Sequence, residues 1–379
     1  MMTRPHHPVQ CIVPPHMLQS IVENGNPEQR EWARATLALS ERLRGQRIAI
    51  TVFPRLIDKA RAVGKQRSVY DAHNGTTLPG DLVRDEGDPA TGDQAVDEAY
   101  DGSGATYDLY RQVYGRDSID DNGLPLNSTV HYGQGYDNAF WDGTQMVYGD
   151  GDEDLPEDQR LFNRFTAAVD IIGHELTHGV TQYEARLVYW DQPGALNESM
   201  SDVFGSLVKQ YLLGQTADQA DWIIGAGLFT PNVNGVGIRS MKAPGTAYDD
   251  PVLGKDPQPR HMDDYQNVPY DNGGVHINSG IPNRAFYVTA REIGGRAWEK
   301  AGQIWYVTLR DQLQDRSTFQ DAANLTYQVA GSLYGAGSLE QQAVRTGWAE
   351  VGITVGAGED EAPKGCREML IDLLGGARG

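Results

Sequence analysis

The amino-acid sequence predicts an α+β fold, because a strand-rich first half is followed by a helix-rich second half. In the first half, aromatic and β-branched runs bounded by Gly and Asp are typical of strands. In the second half, apolar residues recur at helical spacing. The predicted elements are strands at 127–141 and 144–151, helices from 162 and at about 196–213, a loop-rich region at 229–275, and further helices from 281 to 352.

The first 65 residues are predicted to form a helical leader. Residues 16–65 read as helical, with Pro27 as a helix-starting residue, and the Gly- and Pro-rich stretch at 68–93 breaks any helix. The leader holds ten Lys/Arg and five Asp/Glu, which gives it a net charge of +5. Because the whole chain has a net charge of −20, the rest of the chain carries −25. Opposite charges favour docking of the leader on the body, and the alternative is a solvated, charged helix.

The composition of the chain limits the classes of binding partner that are expected. The net charge of −20 argues against nucleic acid or an anionic membrane, and no stretch is long enough to form a transmembrane helix. Cys11 and Cys366 lie too far apart in sequence to indicate a disulfide framework, so two free thiols are expected.

The motif HELTH at residues 174–178 is the first sign of chemistry. In a helix, residues four apart share one face, so His174 and His178 can point at one metal ion. Glu175 projects beside the open side of that ion, where it can take a proton from water. The alternative is a pair of histidines on a helix surface, but the apolar stripe of this helix favours a buried site.

A zinc hydrolase takes three ligands from the protein and keeps one position open. Glu198, in GALNESMSD, lies twenty residues after His178 on the next predicted helix, and Asp202 shares its face. An acid at Asp202 is suited to holding a ligating imidazole in one tautomer. The alternative for Glu198 is a solvated acid at a helix start.

Four motifs in order resemble those of the thermolysin-like zinc metallopeptidases: NAFWDGTQMVYGDGD, HELTHGVTQ, GALNESMSD and DNGGVHINSG. The similarity runs from about residue 68 to 353, and the short leader resembles the propeptide of the protealysin-type subgroup. The resemblance implies a two-domain fold with the zinc cleft between a strand-rich and a helical lobe. The implied units are the propeptide 1–65, the strand-rich lobe 66–183, the helical lobe 184–355 and a flexible tail 356–379.

The resemblance also implies catalytic roles. The zinc ligands would be His174, His178 and Glu198. Glu175 would be the general base, and Asp202 would orient His174. Tyr189 and His276 would donate to the developing oxyanion, and Asp271 would keep the His276 imidazole oriented and cationic.

The same resemblance implies how a peptide is bound. Asn138 and Ala139 would offer a strand edge to the substrate backbone, and Arg239 would bind a substrate carbonyl. The pocket for the residue after the cleaved bond would be formed by Phe162, Phe165, Ile171 and Ile238. Because all four are apolar, we expect a preference for a large apolar residue there.

The stretch CIVPPHML at residues 11–18 is implied to be the inhibitory plug. Prolines are extended and lack backbone donors, so a proline pair can pass through a peptide groove without full strand pairing. The residues expected to block the pocket beside the zinc are Pro14, Pro15, His16, Met17 and Leu18. In the alternative, the thiolate of Cys11 takes the open zinc position.

Thermolysin-like enzymes often hold two calcium ions beside the active-site helix. Asp170 and Asp221 match two ligand positions, but Lys209, Ile223 and Ala226 fall where further acids are expected. Since calcium takes roughly six to eight oxygen ligands, we expect the double site to be absent and Lys209 to pair with the remaining acids.

The sequence therefore predicts a zinc endopeptidase made as a self-inhibited precursor. We expect it to act as a monomer on protein or peptide substrates, with its propeptide as a partner in cis. Two rivals are another metal-dependent HExxH hydrolase and a non-catalytic protein that keeps zinc for stability. No Sec-type signal is visible in MMTRPHHPVQ, so secretion or release by another route, or retention of the precursor in the cytoplasm, is expected.

Overall fold

The computed structural model describes residues 10–50 and 64–356 of the 379-residue chain. Residues 51–63, near the predicted end of the propeptide, lie outside the described residues, as do residues 357–379 of the predicted tail, which include Cys366. Within the described ranges, no helix combines the length and apolar character needed to cross a membrane.

The strand-rich lobe is built on a mixed six-stranded sheet with strand order β1–β5–β6–β4–β2–β3. Its strands are β1 (Gln10–Cys11), β2 (Arg67–Asp71), β3 (Asp81–Asp85), β4 (Leu126–Val130), β5 (Ala139–Trp141) and β6 (Met146–Tyr148). Strand β4 runs parallel to β2 and β6, and the other pairs are antiparallel. The strands predicted from the aromatic runs are confirmed as β4, β5 and β6. The N-terminal segment supplies the edge strand β1.

Two helices follow β1 and precede the rest of the sheet. They are α1 (Pro15–Asn24) and α2 (Pro27–Ile50), and Pro27 begins α2 as predicted. A proline suits the first helical turn because its missing N–H would have had no partner there.

Helix α3 (Gln94–Tyr114) was not predicted from the sequence. Gly102 and Gly104 lie in its middle, and glycine is normally unfavourable inside a helix. The structure explains Gly102, because a Cβ there would lie 2.3 Å from Cδ1 of Ile172 on the next helix. The Asp93 side chain accepts from two backbone N–H groups at the start of α3, and Gly115 ends the helix in a left-handed conformation.

Helices α4 (Val169–Tyr183) and α5 (Asp191–Leu213) cross at the centre of the molecule. Their backbones approach closely, since a Cβ on Gly205 would lie 2.4 Å from the carbonyl oxygen of Asp170. Both helices begin at positions other than those predicted. The Phe162 segment is extended with a short 3₁₀ turn before α4, whereas α5 starts five residues before the expected Leu196 because Pro193 is tolerated in a first turn.

The helical lobe completes the fold. Its elements are the short strands β7 (Ile223–Ile224), β8 (Arg239–Ser240), β9 (Asp249–Asp250) and β10 (Gly254–Lys255), and the helices α6 (Asp271–Asn278), α7 (Gly280–Ile293), α8 (Ala301–Val307), α9 (Phe319–Tyr334) and α10 (Leu339–Glu350). The expected change from a strand-rich to a helical lobe is confirmed, with α4 and α5 at the junction.

Candidate active site and metal centre

Three potential metal ligands converge where α4 crosses α5. His174 and His178 lie on one face of α4, and Glu198 faces them from α5; all three are fully buried. The two Nε2 atoms are 3.0 Å apart, and each lies within 3.6 Å of a Glu198 oxygen. Among the described residues, these form the one group of three or more His, Cys, Asp or Glu side chains placed to hold an ion.

The hydrogen bonds around this group fit a cation. Nδ1 of His174 lies 2.8 Å from Asp202 Oδ1, and Nδ1 of His178 lies 2.8 Å from Asn197 Oδ1. Because carboxylate and amide oxygens accept, each Nδ1 carries the proton and each Nε2 points its lone pair inward. Glu198 Oε2 is buried without a hydrogen-bond partner. Two imidazoles and a carboxylate form a donor set that zinc prefers.

Asp202 binds two further side chains in addition to His174. Its two oxygens accept from Nε and Nη2 of Arg239, both at 2.8 Å, and Oδ2 also accepts from Asn283 at 2.8 Å. Burial would raise the pKa of Asp202, but Arg239 and His174 outweigh burial and lower it. Asp202 is therefore ionised while buried, and Arg239 is itself fixed in position. Asn283 and Asn197 were not predicted; Asn197 directly precedes Glu198 in the same motif.

Glu175 is fully buried on α4 beside strand β5. Its Oε2 accepts from the backbone N–H of Trp141 at 3.1 Å. This contact was not predicted, because Trp141 carries no side-chain chemistry that a motif would show. It holds the carboxylate beside the histidine pair.

Tyr189, His276 and Asp271 form a chain on the opposite wall. Tyr189 Oη donates to Glu198 and lies 3.1 Å from Nε2 of His276. On the other side of the same imidazole, Nδ1 of His276 lies 2.5 Å from Asp271 Oδ1. Burial opposes a charge on His276, but Asp271 and Glu198 outweigh burial and raise its pKa. In this arrangement the Tyr189 hydroxyl hydrogen is directed to Glu198, and the protonated His276 directs its Nε2–H into the cleft.

The N-terminal segment runs through this cleft as an added strand. The carbonyl oxygen of Cys11 lies 3.0 Å from His276 Nε2, and Ile12 N donates to the carbonyl of Ala139 at 3.2 Å. Nη1 of Arg239 donates to the carbonyl of Ile12 at 3.2 Å. One residue further on, Val13 N donates to Asn138 Oδ1 at 2.9 Å, and Asn138 Nδ2 donates back to the Val13 carbonyl at 3.3 Å.

The proposed plug therefore needs a correction in register. Residues 11–13 occupy the peptide groove, whereas Pro14 precedes α1 and Pro15 is its first residue. Met17 and Leu18 are buried in the hydrophobic core from α1. His16 Nε2 lies 3.1 Å from Tyr248 Oη, and burial lowers the pKa of His16 to about 4. The proline pair ends the strand and starts a helix, because proline suits both positions.

The Cys11 thiol does not join the metal group. Its Sγ lies 4.0 Å from Ser40 Oγ on α2, among aromatic side chains that include Tyr136 and Phe140. Side chains alternate along a strand, so the thiol is directed into this cluster while the carbonyl of the same residue faces His276.

Comparisons with known proteins agree with this geometry. The model of the thermolysin metallopeptidase catalytic domain matches residues 53–182, and that of the thermolysin metallopeptidase alpha-helical domain matches residues 185–353. The chain belongs to the thermolysin metallopeptidase family. It is therefore a metalloprotease, and enzymes of the thermolysin family use zinc.

Individual members of the thermolysin family are similar over nearly the whole chain. An extracellular metalloprotease of Pectobacterium carotovorum subsp. carotovorum is 51% identical over 351 residues, covering 92% of this chain and 97% of the relative. Protease PrtS of a Photorhabdus strain is 50% identical, covering 91% and 92%. The solved precursor of protealysin, a metalloproteinase from Serratia proteamaculans, superposes with a TM-score of 0.82 at 51% identity, covering 91% of this chain and all of that one.

The four residues assigned by family resemblance to the apolar pocket are all buried. The rings of Phe162 and Phe165 lie 5.9 Å apart, and a Cβ on Gly225 would meet both Ile238 and Ile171. The structure therefore brings them together in two pairs, one on the segment before α4 and one around Gly225.

At the positions that the family resemblance matches to calcium ligands, this chain has an ion-pair cluster. Lys209 Nζ lies 2.7 Å from Asp170 Oδ2 and 3.0 Å from Asp221 Oδ1, and it also donates to the carbonyl of Ile223 at 2.6 Å. The predicted pairing of Lys209 with the remaining acids is confirmed. Burial opposes the ammonium charge, but Asp170 and Asp221 outweigh burial and raise the pKa of Lys209.

Proposed function

We propose that this chain is a neutral zinc endopeptidase made as a self-inhibited precursor. The observation that supports latency is the backbone pairing of residues 11–13 with the groove. Their carbonyl and N–H groups use Asn138, Ala139 and Arg239, the residues proposed to bind substrate. A substrate must displace this segment before it can pair with the same atoms, so the leader competes directly with it.

The proposed chemistry uses the chain's own groups around the ligand set. His174, His178 and Glu198 would hold zinc, which when bound polarises a carbonyl and lowers the pKa of water. Glu175 takes a proton from the attacking water and delivers it to the leaving nitrogen. Tyr189 and His276 donate to the oxygen that becomes negative, an effect typically worth about 3–4 kcal/mol for each donor. Asp271 keeps His276 oriented.

The propeptide is proposed to act by spanning both lobes. From α1, Ser20 Oγ donates to the carbonyl of Val252 in the helical lobe at 2.8 Å. From α2, Gln29 Nε2 donates to the carbonyl of Gln159 in the strand-rich lobe at 2.7 Å. The Trp32 ring lies directly on the backbone of Gly135, where a Cβ would come within 2.2 Å. The charge difference of +5 against −25 supports the same docking.

Specificity is proposed to follow from the apolar pocket. Ile12 is fully buried, and its carbonyl is bound by Arg239, the residue proposed to bind a substrate carbonyl. Peptides with Leu, Ile, Phe or Val at that position should be cut best. Since relatives are named extracellular, we also propose that the enzyme acts outside the cell.

A processing assay and a chelation assay test this function. For the first, the purified precursor is incubated and sampled for N-terminal sequence and casein cleavage. We expect a new N-terminus between residues 45 and 70, which would place the start of the mature enzyme, with activity rising as it forms. Removal of zinc by a chelator should abolish activity, and zinc should restore it. Hydrolysis of small esters without peptides would favour the first rival, and bound zinc without any hydrolysis would favour the second.

A separate prediction concerns calcium. Lys209→Met is expected to destabilise the chain by about 3 kcal/mol, because Asp170 would be left buried without its partner. Thermal unfolding with and without millimolar calcium measures this, and we expect no calcium effect on the wild type. A wild-type Tm that rises with calcium would show that the double site is retained. Lys255→Met, at an exposed lysine, is the control.

A further inference from the structure

A histidine of the leader lies in the contact between α1 and the helical lobe. His16 is the second residue of α1, and its Nε2 atom is 3.1 Å from the hydroxyl oxygen of Tyr248, a residue that is 3% exposed. The other ring nitrogen, Nδ1, is buried and has no hydrogen-bond partner among the described residues. His16 belongs neither to the metal-ligand set nor to the proposed catalytic groups.

This environment suits a neutral imidazole and not an imidazolium. A neutral ring carries one N–H, whereas the protonated ring carries two, and each needs an acceptor. Among the described residues the ring has one hydrogen-bond partner, the Tyr248 oxygen, whichever nitrogen bears the proton. Protonation therefore adds both a charge and a buried N–H without an acceptor, and each of these destabilises the docked leader. Burial raises the pKa of Tyr248, so its hydroxyl stays uncharged.

The charged groups that face His16 do not compensate the added charge. Burial lowers the pKa of His16 to about 4, and of the neighbouring charges only Asp271 acts in the opposite direction. The Asp271 carboxylate is already bound to the ring N–H and the backbone N–H of His276, at 2.5 and 2.9 Å. His276 and Arg239 are themselves positive and oppose a second cation beside them.

The other charged groups on the elements packed against α1 are bound elsewhere or exposed. Asp250, at the end of β9, and Asp256, just after β10, accept from backbone N–H groups. On α2, Arg30 donates to the carbonyl of Gly25. The remaining charged side chains described on α1, α2, β9 and β10 are exposed: Glu23, Glu28, Glu31, Arg34, Asp249 and Lys255.

We propose that protonation of His16 releases the leader from the cleft, which makes latency sensitive to mild acid. Helix α1 follows directly on residues 11–13, so loss of the His16 contact weakens the strand pairing that blocks the groove. The inference rests on the proposed latency and adds a condition that ends it.

The pH window follows from the docked and the released state. In the released leader the His16 ring regains a pKa of about 6.5, whereas in the docked leader it takes a proton only near pH 4. Docking is therefore at full strength above about pH 6.5, and it weakens as the pH falls towards 4. Between pH 7.5 and pH 5.5 the ratio of open to docked leader should rise about tenfold.

The reactivity of the Cys11 thiol tests the proposal on the full, zinc-loaded chain, because Cys11 is 4% exposed while the leader is docked. All chains carry Glu175→Gln, so that they stay intact, and Cys366→Ser, so that Cys11 is the one thiol. The rate of reaction with dithiodipyridine is divided by that of the urea-unfolded chain at the same pH. This ratio should rise about tenfold from pH 7.5 to pH 5.5 in the parent.

His16→Gln is the deciding variant, since its amide can donate to Tyr248 but does not titrate. Its ratio should change by less than about twofold over the same range. His73→Gln, at an exposed histidine, is the matched control and should keep the tenfold rise. Acid effects on the metal ligands are common to all three chains. Equal rises in the parent and in His16→Gln would place the acid sensitivity elsewhere, and a parent without a rise would overturn the proposal.

A second measurement does not depend on how well His16→Gln docks. In NMR spectra of histidine-labelled parent, the imidazole signal that is absent from His16→Gln should remain that of a neutral ring at pH 5.5. A protonated His16 at this pH, with the Cys11 thiol still protected, would show that the docked leader tolerates the imidazolium. Because the thiol reports docking and not proteolysis, failure here is distinguishable from failure of the proposed protease function, which the casein assay reports.

Discussion

Glu175→Gln is expected to lower kcat/KM for peptide cleavage by about 10³- to 10⁴-fold, the range typical of a lost general base combined with a lost charge. The amide cannot take a proton from water, yet it retains an oxygen to accept from the N–H of Trp141, which Glu175 now binds at 3.1 Å. Zinc content should stay at about one ion per chain, because the ligand set of His174, His178 and Glu198 is unchanged. The measurement is kcat/KM after the propeptide has been removed in trans, together with metal analysis.

Two controls make the result specific. Glu157→Gln changes an exposed glutamate and should leave kcat/KM unchanged. The unprocessed Glu175→Gln precursor should also keep its full mass on incubation, since it cannot process itself. A variant that retains zinc and more than a tenth of the wild-type kcat/KM would remove Glu175 from the proposed role.

Ile12→Asp is expected to relieve latency, raising the initial activity of the unprocessed precursor at least about tenfold, which corresponds to 1.4 kcal/mol of lost docking energy. The reason is that Ile12 is fully buried in the cleft, where an unpaired carboxylate costs several kcal/mol. Hydrolysis of a short fluorogenic peptide is measured before any processing, with intact mass recorded in parallel.

Cys11→Ser is the matched comparison for that variant. We expect it to stay latent, because Cys11 reaches His276 through its backbone carbonyl while its thiol packs beside Ser40. Gln19→Asp, on the exposed face of α1, should also stay latent. Activation by Cys11→Ser as large as that by Ile12→Asp would instead make the thiol the inhibitory group.

The metal centre and the Lys209 ion pairs follow from local patterns. Residues four apart on a helix share a face, so HELTH on α4 was enough to pair His174 with His178. A lysine among acids was enough to predict the Lys209 ion pairs. In contrast, helix α3 was not predicted, and the close packing of Gly102 against Ile172 of α4 joins residues seventy positions apart, which no local pattern shows.

What the sequence determined by itself was the set of side chains that could bind a metal, while the family resemblance implied that CIVPPHML would lie in the cleft. Residue type and helical spacing are local properties, and they specify which atoms can bind a metal. Only the tertiary structure decided the register of residues 11–13 in the cleft and the contact of Asn283 with Asp202. Both depend on long-range contacts. Cys11 pairs with Phe140 in the sheet. Backbone hydrogen bonds alone would permit many strand registers, and burial of the side chains on the two faces selects one of them.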